Sequence, residues 1–561
     1  MRHILYKKER MGLFIRKSFE SLQAEARESG NNTLKRVLGP VSLVALGVGV
    51  IIGAGLFSIT GTVAAMHTGP AITLSFIIAA IGCCFAGLCY AEFASMIPVS
   101  GSAYTYSYAT MGELIAWIIG WDLVLEYTVA ATTVSISWSR YLVVFLESIN
   151  IQIPHAFSAC PWDGGIVNIP AMVIVVIMSL ILMRGTQSSS LFNGFIVFLK
   201  ISVILIFVVL GWKFINTDNY VPYIPENTGN LGEFGFSGIL RGAAIVFFAF
   251  LGFDAVSTAA QETKNPQRNM PIGILASLLV CTILYISFAH VMTGVAHYTD
   301  FGGHEGIAPV AVAIEQMGYP DAAGVIQPAY PWLNKAIVFA ILFGYCSVIM
   351  VTLMGQSRVF LSMSHDGLLP PFFSKINPRF RTPVHSNVLF MIVVSLLAGF
   401  VPARVAGEMT SIGTLLAFTL VCAGILIVRK TMPDVPRTFK TPFVPVVPIL
   451  GILTCLCMMC FLAADTWIRL VVWMLIGLDV YSCYGIKHSK LECGKTLRRG
   501  DFSLNIIGII LSVLSILTGL WHQQTIGWNA DKTLLYVSFV FAFTHCAFYM
   551  YRIWKHSGTR V

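Results

Sequence analysis

Among the ionisable residues inside long apolar runs, four stand out: Lys200 in Phe198-Leu-Lys-Ile-Ser202, Asp122 and Glu126 four apart in one run, and Asp254 just after Gly252. Charges so placed are costly, and each is a default candidate for binding or coupling. Burial penalises the ammonium form of Lys200, so this residue could gain and lose a proton during a cycle; near the end of a span it would only snorkel to the headgroups. Asp122 and Glu126 share one helix face, where two negative charges repel unless one is protonated or a cation lies near. Three partners are open to them: Lys200, a cationic ligand side chain, or a structural contact to a neighbouring helix. Asp254 would either polarise an amine pocket or cap backbone N–H groups freed around it.

Backbone supplies the second set of groups. Gly47-Val-Gly-Val-Ile-Ile-Gly-Ala-Gly-Leu-Phe57 lies within an apolar segment, and glycines packed at Gly53, Ala54 and Gly55 suggest a helix that breaks where protein or an aqueous cavity takes over from lipid. The alternative is that these glycines only let helices approach closely. A second interrupted segment, Phe247-Phe-Ala-Phe-Leu-Gly-Phe-Asp254, favours the break, since paired interruptions in two halves of a chain mark a central site. A half-helix starting at Gly53, Ala54 and Gly55 presents N–H groups and a positive dipole end that suit a carboxylate. Carbonyls around Ile51 and from Phe247 to Leu251, with Ala249 between them, are the expected acceptors for an α-ammonium. Phe248 is either a lid over a ligand or core packing. Glu92 and Arg140 lie nearer span ends, where anchoring or gating is expected. His67, His290 and His365 lack metal-like spacing, so no metal or cofactor is implied.

These groups must be positioned by membrane helices. Of 561 residues 56% are hydrophobic and 11% charged, against roughly a quarter charged in soluble domains. The chain is expected to be an all-α polytopic membrane protein. Fourteen segments are long enough for the bilayer, near 41–65, 70–96, 113–145, 168–183, 190–211, 238–260, 271–296, 333–363, 384–402, 409–428, 443–463, 466–486, 503–521 and 533–553. Nine Lys or Arg precede the first, five lie between the twelfth and thirteenth and four between the tenth and eleventh. By the positive-inside rule both termini are cytoplasmic. The net charge of +9 is therefore a topology signal, and no basic run interleaved with aromatics points to nucleic acid. The thirteen cysteines offer no disulfide framework.

The breaks fall in spans 1 and 6, so the unit between them has five spans and its second copy must enter the membrane upside down. The expected organisation is a cytoplasmic leader (1–40), a five-helix repeat (41–211), an inverted second repeat (238–428), four additional helices (443–553) and a cytoplasmic tail (554–561). Residue-by-residue similarity between the halves is not visible, and the repeat rests on topology and the paired breaks.

Five stretches resemble the cationic amino acid transporter branch of the amino acid–polyamine–organocation superfamily: VALGVGVIIGAGLFSITG (44–61), CYAEFASMIPVSGSAY (89–104), GWDLVLEY (120–127), FFAFLGFDAVSTAAQETKNPQRNMP (247–271) and GQSRVFLSMSHDGLLP (355–370). The likeness runs over about residues 35–430. It implies the five-plus-five inverted-repeat fold with broken helices 1 and 6 shared with sodium-coupled neurotransmitter transporters, and secondary active transport of L-amino acids across the cytoplasmic membrane. It also implies that the Lys200 ammonium takes the place of a sodium ion between spans 1 and 8, which favours proton coupling or exchange. Gln261 stands where the family usually has Glu and His365 where it usually has Arg, which leaves cytoplasmic gating contacts open. The expected partners are an amino acid, protons and the bilayer, with no required protein partner evident. An enzyme would need a nucleophile–base pair or clustered ligands, and none is visible. A non-transporting sensor would share the pocket but should carry a signalling extension. The family name suggests arginine, lysine or ornithine, yet Met350 and Met354 on span 8 offer bulky side chains that could fill the space of a guanidinium. A small or branched neutral amino acid is therefore expected to compete better than arginine.

Overall fold

Apolar runs this long, bounded by prolines and glycines, satisfy their backbone internally only as helices. The computed structural model describes residues 13–27, 36–53, 55–147, 149–302, 309–320, 326–490, 497–526 and 532–558; Ala54 and parts of the expected leader and tail lie outside them. In chain order the main helices are α1 (Pro40–Ile51), α2 (Ile72–Met96), α3 (Glu113–Glu147), α4 (Ile169–Met183), α5 (Thr186–Gly211), α6 (Gly235–Val246), α7 (Pro266–Val295), α8 (Pro331–His365), α9 (Val384–Phe400), α10 (Ala403–Thr431), α11 (Val446–Cys460), α12 (Ala464–Val480), α13 (Leu497–Ile526) and α14 (Thr533–Gly558). Proline opens α1, α4, α7 and α8 in the first turn, where a missing N–H costs nothing. Asn168 caps α4 by accepting from Ala171 N at 3.2 Å.

Among the described residues ten stretches are long and apolar enough to cross a membrane, and three shorter apolar helices accompany them. Ten to thirteen helices thus qualify, against the fourteen expected. The difference has two sources. The first two expected spans lie in one run, Pro40–Met96. The helices α4, α9 and α11 hold only 15, 17 and 15 residues, and 15 residues at about 1.5 Å each fall short of ~30 Å of hydrocarbon.

The packing of the first ten helices is paired. Contacts of α1 with α7 and with α5 have counterparts in α6 with α2 and with α10; α5 against α8 matches α10 against α3, and α3 against α9 matches α8 against α4. The hairpin α13–α14 joins the rest chiefly through α12, where Asp479 accepts from Tyr549 OH at 2.5 Å and pairs with His545 Nε2 at 2.8 Å.

Candidate functional site

Both expected interruptions are present. After Ile51 the chain leaves the helix at Ile52 (φ −75°, ψ 104°) and resumes it from Gly55, with Gly53 O accepting from the N–H groups of Leu56 and Phe57 at 3.2 Å. After α6 a tight turn over Phe247–Phe250 gives way to an extended Leu251 and to Gly252 at φ +110°, a conformation that glycine adopts without strain. The breaks face each other directly. A Cβ on Gly252 would lie 2.6 Å from Val50 Cγ1, and one on Gly55 would lie 2.5 Å from Ala249 Cβ. Gly53 lies against Val348 of α8, 2.9 Å from where its Cβ would be. The small residues therefore serve helix approach at these positions, whether or not a ligand also uses them.

A broken helix frees carbonyls that must find donors. Lys200, 1% exposed, donates from Nζ to Gly49 O (2.6 Å), Ile52 O (2.6 Å) and Ser347 Oγ (2.9 Å). All three ammonium donors are thus committed between α1 and α8, which is the bridge the resemblance implied, and snorkelling is excluded. Ser347 Oγ also lies 2.9 Å from Gly49 O. Tyr285 of α7 places its hydroxyl 2.6 Å from Ile51 O and 2.8 Å from Ala249 O, one carbonyl from each break. A single O–H proton serves only one of them at a time, so one carbonyl of the pair always keeps free acceptor capacity. Ile51 and Ala249 are two of the expected ammonium acceptors.

Asp254 makes the contacts of a cap. Its Oδ1 accepts from Gly252 N at 3.2 Å and its Oδ2 from Tyr127 OH at 2.6 Å, closing the second break and tying it to α3. Asp122 and Glu126, both fully buried, share a face as expected. None of their four oxygens has a hydrogen-bond partner among the described residues. Asp122 faces α10, with Oδ1 2.9 Å from where a Cβ on Gly413 would sit; Glu126 lies near Thr414, whose hydroxyl is spent on Thr410 O at 2.9 Å. Of the three partners left open, Lys200 is not the one. Phe247, Phe248, Leu251, Met350 and Met354 are all buried, and Phe247 packs edge-on against Phe418 of α10 at 5.6 Å.

The residues near span ends anchor the frame. Glu92 pairs with Arg429 at 2.9 Å and Arg437 at 3.1 Å and accepts from Thr441 N at 2.8 Å; Arg140 makes an exposed contact to Asp163 at 3.7 Å. His67 bonds Gly232 O at 2.8 Å and His290 stacks on Tyr220 at 5.0 Å. Among the described residues no group of three His, Cys, Asp or Glu could hold a metal. Sequence reasoning missed Tyr285 and Ser347. Their signal was available in principle, because a tyrosine or serine deep in an apolar helix needs a partner for its hydroxyl.

The sequence profile of the amino acid permease family matches residues 38–478. The branched-chain amino acid permease BcaP of Bacillus subtilis (strain 168) is 44% identical over 484 residues, 86% of this chain and 99% of that protein. The methylthioribose transporter of the same organism is 42% identical over 482 residues, with the same shares covered. Cationic amino acid transporter 4, vacuolar, of Arabidopsis thaliana is 36% identical over 423 residues, 75% of this chain and 68% of that protein. Two glycine-lined breaks held by Lys200 and Tyr285 thus sit in a chain that belongs to the amino acid permease family of the amino acid–polyamine–organocation superfamily.

Proposed function

We propose that this permease carries small or branched neutral L-amino acids across the cytoplasmic membrane by alternating access, with protons as the coupling ion and both termini on the cytoplasmic side. The observation that carries the coupling is the Lys200 ammonium on Gly49 O, Ile52 O and Ser347 Oγ. By the resemblance to the family, a fixed cation between α1 and α8 takes the place that a sodium ion holds in sodium-coupled relatives. The substrate carboxylate binds at the half-helix start by Gly53 and Gly55, with Ala54 between them, and the α-ammonium takes the carbonyl that Tyr285 leaves free. The paired helix contacts support two inverted five-helix repeats around this point, and the basic loops of the sequence support the orientation.

The neutral substrate is supported by two strands of argument. The names of relatives at 44% and 33% identity, both branched-chain amino acid permeases, agree with the bulky, buried apolar side chains of Phe248, Met350 and Met354. The relative named for methylthioribose gives a second reading, a thiosugar, which has no carboxylate for the half-helix end. Competition in proteoliposomes separates them: valine, isoleucine or alanine should displace a bound label at lower concentration than arginine or methylthioribose. Stronger displacement by arginine would put Asp122 and Glu126 at the substrate, and stronger displacement by the thiosugar would remove the carboxylate site.

A further inference from the structure

Away from the central site, α4 and α9 form a pair whose length is fixed at both ends. They run antiparallel: Asn168 N donates to Gly399 O at 3.1 Å at one end, and Thr382 Oγ1 donates to Met183 O at 3.1 Å at the other. With 15 and 17 residues they reach roughly 22 Å and 26 Å, against ~30 Å of hydrocarbon. Each presents an exposed apolar stripe, Val173, Ile177 and Leu180 on α4 and Val388, Ile392 and Leu396 on α9. A short apolar pair of this kind thins the bilayer around it and reaches the headgroups through the residues at its ends.

At the end tied by Met183 and Thr382 those residues are basic. Arg184 follows α4, and Lys375, Arg379 and Arg381 precede α9; Arg184, Lys375 and Arg379 are exposed. No Asp or Glu stands between Asp163 and Asp218 or between Asp366 and Glu408, so neither segment brings a carboxylate of its own. Among the described residues Arg184, Lys375 and Arg379 form no ion pair. The two segments meet on both sides of Arg184: Met183 O accepts from Thr382, and a Cβ on Gly185 would lie 3.5 Å from Phe380 O. The loop is also pre-formed. Asn377 Oδ1 accepts from Arg379 N at 2.9 Å and Phe380 N at 3.2 Å, and Arg381 N donates to Asn377 O at 2.8 Å, so its backbone loses little freedom when a ligand arrives. Exposed Phe372 and Phe380 flank the cations, a mixture suited to the boundary between headgroups and acyl chains.

We propose that this end of the α4–α9 pair is a binding surface for an anionic phospholipid, with the phosphate on Arg184, Lys375 and Arg379 and the acyl chains along the two apolar stripes. Charge complementarity selects the headgroup: cations without carboxylates favour a lipid of net negative charge over a zwitterionic one, whose own ammonium would be repelled. The shortness of the helices sets the depth, since it brings the loop to the level of the phosphates. A free phosphate ion would meet the cations but not the stripes. In the proposed orientation the surface faces the cytoplasmic leaflet, where anionic lipids collect.

Native mass spectrometry of the full-length chain, delipidated in detergent and titrated with dioleoyl phosphatidylglycerol or dioleoyl phosphatidylcholine, tests the proposal. The parent should bind its first phosphatidylglycerol about tenfold or more tightly than phosphatidylcholine. Arg184→Gln with Lys375→Gln and Arg379→Gln should weaken phosphatidylglycerol by about fivefold per charge, ~100-fold together, and leave phosphatidylcholine unchanged. The control is Lys264→Gln with Arg268→Gln, exposed residues at the start of α7, which should change either lipid by less than about twofold. Inorganic phosphate in large excess should not displace the lipid. Equal affinity of the parent for the two lipids, retained affinity in the triple variant, an equal loss in the control, or displacement by phosphate would overturn the proposal. Should the triple variant fail to accumulate, Arg184→Gln and Arg379→Gln singly, each expected to lose about fivefold, are read against the same outcomes. No amino acid enters the measurement, so a wrong substrate or coupling ion would leave all of these results standing.

Discussion

Replacing Lys200 by Met tests the coupling reading most directly. The substitution keeps an unbranched apolar stem and removes three N–H donors, each worth about 1.5–3 kcal/mol as a charged hydrogen bond. Not all of this is felt. Gly49 O keeps the Ser347 hydroxyl at 2.9 Å, so Ile52 O is the carbonyl left without a donor, an orphan costing roughly 1–3 kcal/mol. Against that loss, a methionine avoids the several kcal/mol needed to bury an ammonium. The two effects nearly cancel, leaving a net change of about 2 kcal/mol or less, well inside the 5–15 kcal/mol typical of a folded domain. The variant should therefore insert and fold. In proteoliposomes its uptake driven by an inward proton gradient should fall to the level of empty vesicles, while replacing sodium by choline leaves the parent protein unaffected. Gradient-driven uptake by Lys200→Met, or collapse of parent uptake without sodium, would refute the reasoning.

Gly55→Ala places a Cβ 2.5 Å from Ala249 Cβ and 2.8 Å from Ala249 N, and overpacking of this kind costs ~1–3 kcal/mol; the thermal midpoint should fall together with substrate binding. Binding lost at unchanged stability would instead show that the glycine is kept for the ligand alone. Asp122→Asn and Glu126→Gln should leave thermal stability unchanged or raise it, because a buried carboxylate without a partner is itself a cost. A loss of more than about 2 kcal/mol in urea unfolding would mean that each carboxylate has a partner worth that much.

What could be read from the sequence follows a physical division. Glycines at Gly53, Gly55 and Gly252 announce a break because a membrane tolerates freed backbone only where protein replaces water. The lone Lys200 announces a set of buried partners because an unpaired ammonium in hydrocarbon is prohibitive. Both signals are local, and both breaks and the bridge to α8 are where they were expected. The partners of Asp122, Glu126 and Asp254 depended on which way each helix faces, and that is set by contacts between helices far apart in the chain. Asp254 meets Tyr127, and Asp122 meets Gly413, across such distances. The number of crossing helices was also less legible, since α4, α9 and α11 are as apolar as their neighbours but shorter, and their ends are fixed by loops and caps.

The two breaks are not held apart as an open cleft; they are braced. Lys200 from α5, Ser347 from α8 and Tyr285 from α7 absorb the carbonyls that unwinding releases, and Asp254 absorbs an N–H of the second break with the help of Tyr127 from α3. Each brace reaches the breaks from a different helix, so a rearrangement of α1 and the sixth span against α8 must exchange some of these bonds. Lys200 and Ser347 connect α1 to α5 and α8, while Tyr285 connects the two breaks to each other. If α7 swings together with α1 and the sixth span, the Tyr285 bonds survive and the Lys200 bonds change. The Lys200 bonds are then the ones that a change of charge on the ammonium would alter, and this is the link on which the proposed proton coupling rests.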